Sequence, residues 1–379
     1  MRRYFPSINA ARGMDQRRAG PYAGGMKLLA ATLLALLSLA ACAPVVVPAG
    51  PVVREATVAP FEAPPLPWVL RPSWAFAPPP PQPEPSGPRP EAMLVMPDGA
   101  ALPLRVWRPE GPPRFAVLAL HGLGDHGGNF LQEGGPLLTA GGALVYAYDQ
   151  RGFGWSVARG YWAGADAMVA DAREALRLIR ARHPDLPLFL LGESMGGAVV
   201  LATNPDNVAG IILSSPGLWS RRYMPQLLQA MLWGAGHVLG PVALPPSAPN
   251  VTASDNAAAM LRFARDPLTL RDIRLDMVYG LVGLMDQAVV ALPTCCRAVP
   301  TLVMVGGNDQ VVPIAIARRA LHEAQVPRVA FYPEGWHLLL RDSVRAEVAR
   351  DILAFMNAPT VPTPQEAAGR AWLDATPPR

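Results

Sequence analysis

The chain has 379 residues, of which 51% are hydrophobic and 16% charged, and its formal net charge is +4 at pH 7. Its first 27 residues hold six basic residues and one acidic residue, which leaves the rest of the chain near neutrality, at about −1. The composition therefore allows a sizeable apolar core and excludes a basic nucleic-acid-binding face. No nucleic-acid partner is expected.

A leader precedes the folded part. Residues 28–41 are apolar or small, and they are too few for the ~20 residues of a membrane-spanning helix. They match the apolar region of a secretory signal, so we predict a signal peptide over residues 1–41, with Met26 as an alternative start. The end of this stretch, residues 39–42, resembles the lipobox of bacterial lipoproteins, which implies lipid attachment at Cys42. A plain signal anchor and a buried N-terminal helix are the alternatives.

This resemblance implies a location in the cell envelope. A lipidated Cys42 would anchor the protein to a membrane, and Ala43 directly after it favours, by analogy, the outer membrane of a Gram-negative cell. The expected location there is the periplasmic face, although Ala43 does not determine the leaflet. Residues 43–90 contain sixteen prolines, a density that favours an extended tether over a domain. The tail, residues 358–379, has five prolines and is predicted to be disordered.

Once Cys42 is assigned to lipid, two adjacent cysteines remain, Cys295 and Cys296. Three cysteines are too few for a disulfide framework. Adjacent cysteines form a disulfide only with strain, so two packed thiols are favoured over a vicinal disulfide, which stays open as the alternative.

The folded part begins with a predicted hairpin, in which the apolar runs 91–96 and 102–107 flank Asp98-Gly99. Continuous apolar runs then alternate with helical patterns such as that of residues 166–182. The predicted strands of this part are 115–120, 143–148, 186–191, 210–215, 301–306 and 329–332. This alternation predicts an α/β fold with a mostly parallel sheet, covered by helices on both faces, over residues 91–216 and 300–357.

The alternation stops between residues 217 and 299. The segments 224–233 and 275–285 have helical patterns with more apolar surface than a one-sided helix needs, and runs typical of strands are absent. We predict a helical cap over the strand ends, with an ordinary helical subdomain as the alternative. Methionine-rich surfaces adapt to irregular apolar ligands, which favours an acyl chain beneath the cap.

A candidate nucleophile lies at Gly192-Glu193-Ser194-Met195-Gly196, where a buried strand turns into a helix. This Gly-x-Ser-x-Gly pattern is typical of the nucleophile elbow, whose tight turn exposes the serine hydroxyl. Such a serine needs a base held by a carboxylate. In this fold those two residues follow the serine in the order acid, then histidine.

Three histidines follow the candidate nucleophile, and only His337 comes directly after a strand, at the edge of the sheet where sites form. His322 falls in a predicted helix, and His237 falls in the predicted cap. Asp309 follows the preceding strand and is the predicted acid. Asp286 and Asp255 would have to reach down from the cap.

The predicted oxyanion hole takes one backbone amide from the residue after the nucleophile, Met195, and one from Leu123 in the loop after an early strand. His121 in the same loop is expected to order it. Asp149 and Arg151 are expected to pair and to fix a neighbouring loop. No metal-ligand cluster or phosphate loop is apparent, so neither a metal nor another cofactor is expected.

Five motifs together resemble the monoacylglycerol lipase and lysophospholipase-like branch of the serine α/β-hydrolases. The resemblance covers about residues 91–357, and its motifs are residues 121–126, 148–156, 192–197, 308–313 and 336–337. It implies Ser194, Asp309 and His337 as catalytic residues, Leu123 and Met195 as oxyanion donors, and a lid over an acyl pocket. Just after the first motif, Asn129-Phe130 stands where an Arg-Tyr pair often closes that motif.

The sequence therefore predicts a membrane-anchored serine hydrolase that cleaves single-chain lipid esters through an acyl-enzyme. Its expected substrates are monoacylglycerols, lysophospholipids or similar small lipid molecules. Two alternatives stay open: transfer of the acyl group to another alcohol, and a non-catalytic envelope lipoprotein that binds through the same fold. The sequence does not determine an oligomeric state.

Overall fold

The computed structural model describes residues 55–63, 84–156, 158–245 and 251–375, all within one compact unit, Pro44–Arg379. The predicted signal over residues 1–41 and its lipid-attachment residue Cys42 lie outside the described residues. So does much of the predicted proline tether.

The central element is a mixed sheet of nine strands. In chain order the strands of the described residues are β1 Thr57–Pro60, β2 Ala92–Val95, β3 Ala101–Trp107, β4 Phe115–Leu120, β5 Ala143–Tyr148, β6 Leu188–Glu193, β7 Gly210–Ser214, β8 Ala243–Leu244, β9 Ile273–Arg274, β10 Thr301–Gly306 and β11 Val329–Tyr332. The order across the sheet is β1-β2-β3-β5-β4-β6-β7-β10-β11, and β8 and β9 form a separate ribbon. The pairings from β5 to β11 are all parallel, as predicted.

Helices cover both faces of this sheet. In chain order they are α1 Gly127–Phe130, α2 Gly134–Ala140, α3 Ala165–Arg182, α4 Met195–Thr203, α5 Gln226–Val238, α6 Ala257–Arg265, α7 Leu275–Ala298, α8 Ile314–Glu323, α9 Arg345–Asn357 and α10 Gln365–Asp374. Leu118 and Leu120 of β4 join the core under α3, α4, α7 and α8, whereas Val117 and Ala119 join the core under α2 and α9. A strand buried on both faces requires the uninterrupted apolar sequence from which it was predicted.

The predicted hairpin is present. β2 and β3 pair antiparallel, with Val95 opposite Ala101. Gly99 has a φ of +82°, a backbone conformation that glycine adopts without a steric penalty. The turn closes where the Met96 amide donates to the Ala100 carbonyl at 2.8 Å.

Parts of the predicted tether belong to the sheet domain, which corrects the boundary at residue 91. Thr57–Pro60 forms the edge strand β1, where a proline at the strand end disturbs no central ladder. Residues 84–90 also pack on the core, because the Ser86 amide donates to Asp266 and Arg105 donates to the Pro88 carbonyl. Proline content alone was therefore a poor guide to where the domain begins.

The cap is smaller than predicted, and it contains a strand pair. It includes α5, α6 and the β8–β9 ribbon, so the expectation that strands are absent was wrong. The last cap helix, α7, continues to Ala298 and packs along α4 behind the elbow, so its C-terminal half belongs to the core. Among the described helices, α7 alone is long and apolar enough, by length and composition, to cross a membrane.

Cys295 and Cys296 lie near the end of α7 as buried, unpaired thiols, so the favoured alternative is confirmed and the vicinal disulfide is absent. Burial raises the pKa of Cys295 to about 11 and that of Cys296 to about 12. Both thiols are therefore packing groups in their neutral form.

The predicted disorder of the tail was wrong for residues 365–374, which form α10. Trp372 stacks on Phe331 of β11 with ring centroids 5.0 Å apart. A Cβ at Gly369 would lie 1.7 Å from the Val329 carbonyl oxygen, so only glycine permits this close approach. The prolines of the tail precede the helix or follow it, and they do not interrupt it.

Candidate active site

The predicted elbow is present between β6 and α4. Ser194 has a φ of +54° and a ψ of −116°. A non-glycine residue in such a strained backbone conformation costs ~1–3 kcal/mol, and the surrounding structure must hold it in place. The glycines around it allow close packing. A Cβ at Gly196 would lie 2.1 Å from the Leu120 carbonyl oxygen, and one at Gly192 would lie 2.5 Å from that of Gly196.

His337 and Asp309 lie together at the carboxyl edge of the sheet. Nδ1 of His337 lies 2.8 Å from Oδ2 of Asp309. The other carboxylate oxygen accepts hydrogen bonds from the amides of Val311 and Val312 at 2.8 and 3.0 Å, which orients the carboxylate. Burial lowers the pKa of His337, but the neighbouring Asp309 charge and hydrogen bond outweigh burial and raise it.

The competing residues have other contacts. Asp286 pairs with Arg221 in the cap, and Asp255 accepts a hydrogen bond from the Ser343 amide at 2.8 Å. His237 stacks on Trp233 with centroids 4.5 Å apart. Of the candidate acids, the structure brings only Asp309 to the imidazole of His337 within the described residues.

Ser194 and His337 line one cavity of about 210 Å³. No hydrogen bond joins the two side chains in the part of the chain that the structure describes. Such contacts are often long before a substrate is bound. The cavity has a polar end formed by Glu193, Asp125 and Arg341 and apolar walls elsewhere, so it suits a molecule with one polar and one apolar part.

The apolar walls come from a different part of the cap than predicted. They include Met260 and Phe263 of α6 and Leu270, whereas α5 is largely exposed and the methionines of α7 are buried against the core. Hydrogen bonds hold this part of the cap in place, since the Leu270 amide donates to the Gly124 carbonyl at 2.8 Å. The apolar content of the sequence did not distinguish a helix with exposed apolar side chains, α5, from one that lines the cavity, α6.

The residues of both predicted oxyanion donors lie close to Ser194. Leu123 lines the cavity, and Met195 is the first residue of α4, where helix amides point outward without acceptors. Gly122 brings the first loop close, because a Cβ there would lie 3.3 Å from the Ser194 Cβ. Within the described residues neither amide donates to a protein acceptor.

His121 orders this loop, as expected. Its Nε2 accepts a hydrogen bond from the Gln150 amide at 3.0 Å, so Nδ1 is the donor to the Gly122 carbonyl at 2.8 Å. The pKa of His121 is lowered because the imidazole is completely buried. Both nitrogens are engaged, which leaves no basic atom for a reacting group.

The expected pairing of Asp149 with Arg151 was wrong. Asp149 pairs with Arg105 at 2.5 Å, and Arg151 binds Asp98 and Asp171. The two side chains therefore contact different parts of the chain, Asp149 strand β3 and Arg151 the hairpin turn and helix α3. Both residues hold structure around the sheet edge.

Sequence reasoning missed Arg341, which lies at the polar end of the cavity. Its guanidinium donates to Asp125 at 2.7 Å and also to Glu193. Asn129, noted as a departure from the family motif, donates to the same Asp125 at 2.8 Å. The available signal was an arginine directly after the apolar run Leu338-Leu339-Leu340, a position that favours a buried and partnered cation.

A mostly parallel sheet with a serine elbow and an adjacent histidine–carboxylate pair defines the serine α/β-hydrolases as a class. A family model described as serine aminopeptidase, S33, matches residues 111–344, and the chain belongs to that family. Within it, the chain is a hydrolase of the monoacylglycerol lipase branch.

Three similar proteins support this assignment. A monoacylglycerol lipase of Mycolicibacterium smegmatis is 27% identical over 271 residues, covering 68% of this chain and 93% of that protein. The human monoglyceride lipase is 28% identical over 258 residues, covering 66% and 84%. The solved Paleococcus ferrophilus monoacylglycerol lipase has 26% identity and a TM-score of 0.55, covering 68% and 99%.

Proposed function

We propose that the protein hydrolyses esters of single-chain lipids, monoacylglycerols or lysophospholipids, through an acyl-enzyme on Ser194. The observation that carries this proposal is the cavity that Ser194 shares with His337, which in turn contacts Asp309. Its apolar walls suit an acyl chain, and its polar end suits a hydrophilic head group. The lipases among the similar proteins support the same substrate class.

The mechanism follows from the positions of the three side chains. The Ser194 hydroxyl attacks the ester carbonyl while Nε2 of His337 takes its proton. Asp309 accepts a hydrogen bond from the Nδ1–H group of His337, so it fixes the tautomer and stabilises the imidazolium. His337 then gives the proton to the leaving alcohol, and a water molecule, deprotonated by the same imidazole, releases the fatty acid.

The amides of Leu123 and Met195 are the proposed donors to the oxyanion of the tetrahedral intermediate. Each such donor typically lowers the barrier by ~3 kcal/mol. Because the donors are backbone groups, replacing either side chain leaves them in place. The geometry of the two loops therefore matters more than the identity of these residues.

The first test is labelling with a fluorophosphonate, which reacts with activated serines. We expect the wild-type protein to be labelled and to hydrolyse p-nitrophenyl esters, and Ser194→Ala to do neither. A matched control is Ser215→Ala, a nearby serine outside the cavity lining, which should keep labelling. A wild-type protein that is unlabelled and inactive on every chain length would exclude the proposal.

We further propose that the protein acts at a membrane, anchored by lipid on Cys42 at the periplasmic face of an outer membrane. The exposed apolar side chains of α5 and the segment after it support contact with lipid; they are Leu227, Leu228, Met231, Trp233, Val238, Leu239, Val242 and Leu244. Cys42→Ala should abolish lipid attachment, measured by incorporation of labelled palmitate during growth. Undiminished incorporation in that variant would contradict the proposed attachment site.

A further inference from the structure

Arg341 is a buried cation, 1% exposed, that bridges two buried carboxylates close to Ser194. Nη1 donates to Oδ2 of Asp125 at 2.7 Å, and Nη2 donates to Oε1 of Glu193. The guanidinium also lies 5.9 Å from the ring centroid of Phe263, on the cap side of the cavity. One side chain thus joins groups from three distant parts of the chain.

Each partner belongs to a loop that carries a different part of the candidate site. Asp125 lies two residues after Leu123, the proposed oxyanion donor, and Glu193 directly precedes the proposed nucleophile. Arg341 itself lies four residues after the proposed base. The first loop has a second support, because Asp125 Oδ1 accepts hydrogen bonds from the His126 amide and from Asn129 at 2.8 Å each.

Stability alone gives a poor account of this network. Removing three charged groups from water is costly, and apolar residues of similar volume are often at least as stabilising as a buried ion pair. Burial raises the pKa of Glu193 to about 7 even though Arg341 lowers it, so the ion pair offsets only part of the cost of burying this carboxylate. Within the described residues Glu193 Oε2 and Arg341 Nε have no partner, so the network is only partly satisfied. What it does provide is a fixed geometry between the loops.

We propose that Arg341 is a positioning residue, whose bridge between Asp125 and Glu193 sets the distance of the Leu123 amide from the Ser194 hydroxyl. This inference rests on the proposed function. A planar guanidinium suits the role because its fork binds two carboxylates in a fixed orientation. An error of ~1 Å in such a distance can cost ~100-fold in rate.

The test is Arg341→Met in the full-length protein, which keeps the length of the side chain and removes the fork. We expect kcat, expressed per fluorophosphonate-labelled serine, to fall by about 10- to 100-fold, while KM for a p-nitrophenyl ester changes by less than about threefold. Affinity for a trifluoromethyl ketone, which forms a tetrahedral adduct with the serine, should fall by the same factor as kcat/KM.

Arg151→Met is the matched control. Arg151 is also a buried arginine held between two carboxylates, Asp98 and Asp171, but it does not line the cavity. Its loss should lower the melting temperature and the fraction of labelled protein, while kcat per labelled serine stays within about twofold of wild type. Counting only labelled serines separates a positioning effect from a loss of folded protein.

Arg341→Lys and Glu193→Gln provide the same test if Arg341→Met does not fold. Lysine retains the charge but cannot bridge as a fork, so kcat per labelled serine should lie between wild type and the Met variant. Unchanged kcat per labelled serine in the folded Arg341 variants, with wild-type protein labelled, overturns the positioning role alone. Wild-type protein that is neither labelled nor active overturns the proposed function and this inference together.

Discussion

His337 is the residue whose surroundings most directly set the behaviour of the site. Burial would favour its neutral form, whereas Asp309 at 2.8 Å favours the imidazolium, and the carboxylate prevails. A general base must be neutral to take the serine proton. The rate should therefore rise with pH as His337 loses its proton.

The first prediction concerns this pH dependence. Because the pKa of His337 is raised, the acidic limb of kcat/KM should have its midpoint above the ordinary histidine value of about 6.5. Asp309→Asn removes the main cause, so the midpoint should move to lower pH while kcat falls by ~10⁴-fold. Ester hydrolysis measured between pH 5 and 9 checks both effects.

Asp286→Asn is the control, because Asp286 pairs with Arg221 in the cap and has no contact with His337. It should leave the midpoint of the acidic limb unchanged. An Asp309→Asn midpoint equal to that of wild type would contradict the assigned partner.

At the scale of elements, the elbow depends on how closely α4 approaches β4. A Cβ at Gly196 would meet the backbone of Leu120 at 2.1 Å, and backbone atoms cannot move aside as a flexible side chain can. The second prediction is that Gly196→Ala displaces the turn, lowers the melting temperature by several degrees and removes most fluorophosphonate labelling, at a cost of ~1–3 kcal/mol.

Gly234→Ala is the matched control for this substitution. Gly234 lies in α5, and a Cβ there would have no heavy atom within 4 Å. Alanine has the higher helix propensity, so this variant should be stabilised by ~0.5–1 kcal/mol or remain unchanged. Thermal unfolding of the two variants side by side separates a steric effect from a helix propensity.

The third prediction concerns α10, which covers β11 through Trp372 and Gly369. A chain that ends at residue 363 loses this helix and exposes the Phe331 ring, so it should be destabilised by ~2–4 kcal/mol. A chain that ends at residue 375 keeps the helix and should match wild type. Equal denaturant midpoints for the two truncations would show that α10 contributes nothing to stability.

At the scale of the whole molecule, α5 carries exposed apolar side chains that do not line the cavity. Leu227 is 73% exposed and Met231 62% exposed, and α5 carries no acidic residue. The fourth prediction is that Leu227→Gln with Met231→Gln reduces sedimentation of Cys42→Ala protein with phosphatidylethanolamine/phosphatidylglycerol vesicles by at least about threefold.

Hydrolysis of a soluble short-chain ester should be unaffected by this pair of changes, because neither residue lines the cavity. Val361→Gln tests for a general effect of surface polarity, since Val361 is 58% exposed in a different part of the chain. The three proteins compared are Cys42→Ala protein itself, its derivative with Leu227→Gln and Met231→Gln, and its derivative with Val361→Gln. Equal vesicle binding by these three would argue against contact between α5 and lipid.

The features that the sequence predicted well are those written in consecutive residues. The buried strands follow from uninterrupted apolar runs, because a strand covered on both faces needs apolar residues at every position. The hairpin follows from Gly99, whose backbone conformation other residues rarely adopt. The elbow at Ser194 follows from Gly192 and Gly196, where a Cβ would clash with neighbouring backbone atoms. The order of Ser194, Asp309 and His337, each next to the end of a strand, then predicted a site at one edge of the sheet.

Only the tertiary structure decided which distant groups meet. Arg341 contacts Asp125 and Glu193 across 216 and 148 residues, and no local pattern contains that information. Likewise β1 became an edge strand and α10 a covering helix because neighbouring surfaces were available to pair with them. Local propensity describes what a segment can form, whereas the free energy of burial against a particular partner determines what it does form.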